Sequence, residues 1–402
     1  MIQCPRLTTA IDFEPSWLRP CCEPMIKMPQ FPYEGGSFNL ENYISFLNNT
    51  LKTLQNDSAE ICSGCPVKVK IEPPMMYKAT PESHMPSLAL PIRLQQILIN
   101  HFRDLCNCKC CYCWNWRRPR KVGLYSVKNI LKYFYDAGMI ANNASYSWGG
   151  GEVTLLPEFE ELSQWIADQG NNKQTILTNG ILFSSAITCL LERDAVNIID
   201  ISLDSGSPEG YKRIKGVDKF YDVIENIKQY MKQAKRPSII SLKFIILERE
   251  DNRNEIEPFF ELCKTLDIVN IRYSVDMGID HTNVKQRTLE SVMLFESIAK
   301  SYNMHCRPVM LTSGMAEKIE NYRKLHITPG MYSSTYIASD YPSADNASIP
   351  VLGLADLDNR QGVVNLEAKH QTKLPKQKAK YVNRLFWRIT APLRALGKFF
   401  KI

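Results

Sequence analysis

Between Leu90 and about Met310, short apolar runs rich in β-branched residues alternate with stretches whose apolar positions recur every three or four residues. The first pattern is that of a strand buried on both faces and the second that of an amphipathic helix, so their alternation predicts a parallel α/β sheet. Strands are expected at Arg93–Asn100, Ala144–Trp148, Gln174–Thr178, Asn197–Leu203, Ile239–Leu247 and Ile268–Ser274. Helices are expected at Ser126–Ala137, Pro157–Gln169, Phe183–Arg193, Tyr221–Gln233 and Asn254–Leu266. Strand and helix units of this length suit a partial (β/α)6 barrel better than a sandwich.

Outside that region the pattern changes. Residues 1–89 are rich in Pro and Cys, hold one amphipathic helical stretch at Leu40–Leu54, and are expected to form a small N-terminal Cys-rich module. Residues 90–310 are the barrel, residues 311–372 have weak periodicity and suit an irregular capping region, and residues 373–402 form a basic amphipathic tail. The net charge of +7 belongs to that tail: Lys373–Ile402 holds nine Lys or Arg and no acid, which leaves 40 basic against 42 acidic residues elsewhere. A nucleic-acid groove across the body is therefore not expected. No window approaches the roughly 20 apolar residues of a membrane-spanning helix, and Met1–Pro15 lacks the apolar centre of a secretory signal, so a cytoplasmic location is expected.

Thirteen cysteines, bunched in a long chain of this kind, favour metal ligation over disulfides. The loop after the first barrel strand reads Cys106, Asn107, Cys108, Lys109, Cys110, Cys111, Tyr112, Cys113. Cys106, Cys110 and Cys113 are spaced to hold three corners of an iron–sulfur cube, leaving the fourth iron open to a substrate. A structural zinc site is the alternative reading of the same thiols.

The loop resembles the cluster loop of radical S-adenosylmethionine (radical SAM) enzymes, with Asn107, a basic residue, and the aromatic Tyr112 before the last cysteine. The resemblance continues at Ser147–Glu152, whose Gly150, Gly151 and Glu152 are similar to the family's Gly-Gly-Glu motif for the methionine amine. It extends to Leu177–Gly180 and Ile201–Asp204, and the runs Leu242–Leu247 and Ile271–Tyr273 resemble the family's fifth and sixth strands. It departs at Val153, where the family usually has proline, and in the additional thiols Cys108 and Cys111. It implies a partial (β/α)6 TIM-like barrel, a [4Fe-4S] cluster on Cys106, Cys110 and Cys113, and S-adenosyl-L-methionine held by Gly150, Gly151, Glu152, Thr178, Asn179, Ser202 and Asp204. It further implies reductive cleavage to a 5′-deoxyadenosyl radical and an electron donor such as flavodoxin or ferredoxin. All these motifs fall at carboxyl ends of expected parallel strands, where α/β folds build ligand sites. No catalytic hydrogen donor is nominated, and Cys189, Cys263 and Cys306 are expected to be small buried hydrophobes.

Cys4, Cys21, Cys22, Cys62 and Cys65 form a second group, four of which, such as Cys21, Cys22, Cys62 and Cys65, could hold another metal centre, since Cys62-Ser-Gly-Cys65 has ligand spacing. The region resembles the SPASM or twitch module of peptide-modifying radical enzymes, placed before the barrel; a second iron–sulfur cluster, zinc or no metal are the alternatives. In the tail, Leu385, Ile389, Leu393, Leu396 and Phe400 form an apolar stripe edged by basic residues, which suits peripheral contact with the inner membrane face. Phe386–Arg394 resembles tails of enzymes of surface polysaccharide assembly, implying a sugar substrate. The rival readings are a peptide-modifying maturase and a zinc-stabilised scaffold without catalysis.

Overall fold

The computed structural model opens with β1 (Ile2–Gln3), the single turn α1 (Arg6–Thr9), β2 (Ala10–Glu14), β3 (Trp17–Arg19), β4 (Phe31–Pro32), α2 (Leu40–Gln55) and β5 (Val69–Lys70). Strand and helix then alternate through β6 (Leu94–Ile99), α3 (Val127–Asp136), β7 (Ile140–Trp148), α4 (Phe159–Asp168), β8 (Lys173–Thr178), α5 (Ser185–Glu192) and β9 (Val196–Ser202). The series continues with α6 (Pro208–Lys215), α7 (Phe220–Gln233), β10 (Ile240–Ile246), α8 (Ile256–Thr265), β11 (Asn270–Val275), α9 (Gln286–Ser301), β12 (His305–Pro308) and α10 (Ser313–His326). The residues described are 2–4, 6–21, 28–55, 69–70, 92–114, 117, 121–170, 173–248, 252–279 and 283–326. Cys22, Cys62, Cys65 and the tail 373–402 lie outside them.

Ten strands form one sheet in the order β12-β11-β10-β9-β8-β7-β6-β2-β3-β4. β6 to β11 run parallel in sequence order, the arrangement of a partial (β/α)6 barrel. The sequence pattern is realised in these six strands because each buries an apolar row completely: Ile97, Tyr146, Ile176, Ile199, Ile201, Leu242, Phe244 and Tyr273 are all essentially inaccessible. The helices cover the outer face with one stripe each. In α3 the stripe is Val127, Ile130, Leu131 and Phe134, and Ser126 caps the helix by accepting from Asn129 N at 3.3 Å.

Three differences from the sequence pattern matter for the site. β2 joins the barrel sheet in parallel beside β6, with Phe13 opposite Ile99, and β3 and β4 extend it antiparallel. The short helix α6 forms between β9 and α7, bounded by Ser207 as N-cap, Pro208 in its first turn and Gly216 as a left-handed C-cap. α10 lies in the stretch expected to be irregular; it is held by burial of Met315 and Ile319 and by Arg323 pairing with Glu296 at 2.8 Å.

Candidate active site

The loop from Asn100 to Cys113 leaves the carboxyl end of β6 and is fastened on two sides. On one side Glu152 N donates to Leu105 O at 2.7 Å, beneath Gly151. A side chain at Gly151 would begin 2.3 Å from Phe102 O and 2.6 Å from Leu105 O, so the glycine is required for this close approach. On the other side the end of α6 grips the loop: Lys109 N donates to Lys215 O and Cys111 N to Ile214 O, each at 2.9 Å.

Glu152 fastens three strand ends. Its Oε1 accepts from Thr154 N at 3.1 Å and from the hydroxyls of Thr154 and Thr178 at 2.7 Å, while Oε2 accepts from Asn179 N at 2.6 Å. Four donors are about what one carboxylate accommodates. Asn179 reaches back to the loop, its Nδ2 lying 2.6 Å from Asn107 Oδ1 and 3.9 Å from Cys106 Sγ. Cys106, Glu152, Thr178 and Asn179 are therefore one connected group.

The three thiols nearest the loop centre are shifted in opposite directions. Hydrogen bonding from Cys108 lowers the Cys106 thiol, and the same residue, with the Lys215 ammonium, lowers Cys110 to about 6 despite its burial. Cys108 between them is pushed far up, since its proton serves both neighbours. Two lowered thiols flanking a raised one suit soft-metal ligation by Cys106 and Cys110 and leave Cys108 as a donor. Cys113, half-buried, donates its N–H to Cys110 O at 3.1 Å. Among the described residues no three His, Cys, Asp or Glu side chains converge for a single metal ion; ligands to separate irons of a cube need not converge so tightly. The donor set fits a [4Fe-4S] cluster.

Asp204 takes up a different position from the one the strand-end motif suggests. It is fully buried with a left-handed φ of 62°, and its Oδ2 accepts from Lys215 Nζ and Tyr112 OH, both at 2.6 Å. Its Oδ1 accepts from Ile245 N at 2.9 Å. Burial alone would lower the Lys215 ammonium, but Asp204 and Cys110 reverse this and raise it. Asp204 thus anchors the cysteine loop from below. Ser202 faces the inner side of the sheet, opposite Lys243.

Residues 101–263 match the model of the Radical SAM superfamily. Over those residues, about two fifths of the chain, the sequence is similar to that superfamily. Enzymes of that superfamily use a [4Fe-4S] cluster and S-adenosylmethionine. The chain is 27% identical over 240 residues to a protein of Saccharolobus islandicus named probable GTP 3′,8-cyclase, covering 57% of this chain and 74% of the relative. A protein of the same name from Saccharolobus solfataricus is 28% identical over 240 residues with the same coverage. The solved structure of Streptococcus suis SuiB bound to precursor peptide SuiA is similar with a TM-score of 0.45 at 15% identity, covering 72% of this chain. The chain spans 60% of the length of SuiB.

The motif residues Cys106, Cys110, Cys113, Gly150, Gly151, Glu152, Thr178 and Asn179 all lie at the carboxyl edge of β6 to β8. Tyr112 and Asn107, which carry the loop's resemblance in sequence, and Lys215, which was not singled out by sequence, complete the cysteine loop's support. The signal for Lys215 is the Pro208-to-Gly216 bracket, which marks a short helix and its last turn. Of the second metal set only Cys21 is described; it is buried, as is Cys4. Cys263 is buried as expected, whereas Cys189 and Cys306 are half-buried. Among the described residues no helix is long and apolar enough to cross a membrane.

Proposed function

We propose that Cys106, Cys110 and Cys113 bind three irons of a [4Fe-4S] cluster and that the chain reductively cleaves S-adenosylmethionine to start a radical reaction on a small-molecule, sugar or peptide substrate. When bound, the cluster and S-adenosylmethionine together supply a 5′-deoxyadenosyl radical through one-electron cleavage of a carbon–sulfur bond. The chain's own residues position and enclose this chemistry. Gly150 and Gly151 let backbone approach the methionine end, Glu152 orders the Thr178 and Asn179 strand end, and Ser202 offers a hydroxyl from the inner face.

The observation that carries the reading is the connection from Cys106 through Asn179 to Glu152, which joins cysteine loop, Gly-Gly-Glu turn and β8 end in one hydrogen-bonded group. A surface glycan or sugar precursor, and contact with the inner membrane face, are proposed from residues 373–402 and depend on them alone. Flavodoxin or ferredoxin is the proposed reductant.

The test is anaerobic reconstitution with iron and sulfide, then incubation with dithionite and S-adenosylmethionine. 5′-Deoxyadenosine is expected from wild type and not from Cys110→Ala. A fully iron-loaded wild type that forms none, with or without candidate substrates, would overturn the reading.

A further inference from the structure

The inner face of the sheet carries a row of cations beyond the loop. Phe244 stacks outward on Phe259 of α8 and Phe295 of α9, with ring centroids 5.1 and 5.2 Å away, and Tyr273 meets Phe295 at 5.4 Å. Strand alternation then turns Lys243 and Arg272 inward. Register aligns Ser202 with Lys243, Lys243 with Arg272, and Arg272 with Arg307, so one level of the barrel wall reads Ser, Lys, Arg, Arg across β9 to β12. Adjacent strands are about 4.8 Å apart, so Lys243 and Arg307 stand roughly 10 Å apart along the wall.

The nearby acids are already engaged. Asp204 takes Lys215, and Asp200 takes Arg272 at 3.2 Å and the Ser241 hydroxyl at 3.2 Å. Lys243 is only 6% exposed, and the partner described for its Nζ is the Met310 thioether at 3.8 Å. Burial lowers the Lys243 ammonium from its ordinary value, and Arg272 and Lys215 add to this, although Asp200 and Asp204 oppose it. Met310 is exposed and has a left-handed φ of 56° at the end of β12, covering the lysine with a thioether. Arg307 is exposed and has no described acidic partner. Among the described residues, Lys243 and Arg307, neither with a described oxygen acceptor, therefore flank Arg272 on the wall, and the Lys243 ammonium is buried. Such a group is costly unless an anion completes it.

We propose that Lys243, Arg272 and Arg307 form the subsite for the phosphate groups of a phosphorylated substrate. The proposal rests on the radical reading of the same cavity and names its substrate class. A diphosphate matches a span of this length and two excess charges, where a single carboxylate would meet one. The methionine carboxylate is the other source of an oxyanion in this cavity. Arg307 stands four strands from β8, roughly 19 Å along the sheet, whereas the motif residues for the cofactor sit on β6 to β8.

The experiment titrates the iron-loaded protein with inorganic pyrophosphate and, separately, with S-adenosylmethionine by calorimetry. Wild type is expected to bind pyrophosphate, with affinity at least tenfold weaker in Lys243→Met and severalfold weaker in Arg307→Gln, and with S-adenosylmethionine affinity unchanged within twofold in both. Arg307→Gln alters an exposed side chain, so it tests the subsite even if Lys243→Met folds poorly. No pyrophosphate binding by wild type, or equal binding by wild type and Arg307→Gln, overturns the subsite. A loss of S-adenosylmethionine affinity in Lys243→Met without a change in pyrophosphate binding also overturns it, and assigns the lysine to the methionine carboxylate. The same preparations are assayed for 5′-deoxyadenosine: its formation without pyrophosphate binding sinks the subsite alone, and pyrophosphate binding without it sinks the radical reading alone.

Discussion

Lys215 Nζ lies 2.6 Å from Asp204 Oδ2, both side chains fully buried, and Tyr112 OH closes the group at 2.6 Å from the same oxygen and 3.2 Å from the ammonium. The pair joins the end of β9 to the end of α6, and through the Lys215 carbonyl it holds Lys109 in the cysteine loop. A buried ion pair is weak evidence for added stability, because desolvation offsets attraction. Breaking it by removing one partner leaves a charge uncompensated.

Lys215→Met is therefore expected to lower the unfolding free energy of the iron-free protein by about 3–5 kcal/mol, measured by urea denaturation. Adding Asp204→Asn should restore part of the loss. If the double variant is as unstable as the sum of the single ones, the two residues do not act as a pair. Iron uptake should fall in Lys215→Met even at temperatures where it remains folded, since the loop loses its support from α6.

The six barrel strands were legible because each is a short run with a fully buried apolar row, set between helical stretches of clear periodicity. The site was legible in part: cysteine spacing and the glycines of Gly149–Gly151 are local signals. Lys215 was not, because a lysine at the end of an amphipathic helix ordinarily points to solvent, and only the fold brings Asp204 beneath it. β2 was hidden for a similar reason. Ala10–Glu14 contains Asp12 and Glu14, and acids argue against a buried strand, yet both are buried against Arg19, Asn100 and Arg103. α10 has weak periodicity because its hold on the body comes from one ion pair and two apolar residues.

The three proposed ligand cysteines and Cys108 are separable by experiment. The Cys108 thiol is raised by its hydrogen bonds to Cys106 and Cys110, while those same bonds lower Cys106 and Cys110. Cys108→Ala is expected to retain the four-iron content and absorbance of the reconstituted loop, whereas Cys106→Ala, Cys110→Ala and Cys113→Ala each lose most of the iron. Iron and sulfide analysis of the anaerobic proteins decides it. Iron loss in Cys108→Ala equal to that in Cys110→Ala would make Cys108 a ligand and reassign the loop.

Glu14 connects pH to the N-terminal strands. Its carboxylate lies 2.8 Å from Arg103 Nη1, at the start of the cysteine loop, and 3.8 Å from Arg19, while its Oε2 is buried without a hydrogen-bond partner. Burial, reinforced by the negative charge of Asp12, raises this carboxyl from 4.5 to about 7, against the pull of the two arginines. A raised acid binds its proton more tightly when folded. Its contribution to stability is therefore complete below about 4.5 and is lost as pH rises through about 7. Urea denaturation of the iron-free protein between pH 5 and 8 should show stability declining more steeply in wild type than in Glu14→Gln, which cannot titrate. Parallel profiles for the two proteins would mean that Glu14 is ionised throughout and that Arg103 fully compensates it. A steeper decline in wild type would show instead that the loop's first turn rests on a carboxyl whose charge the fold only partly tolerates.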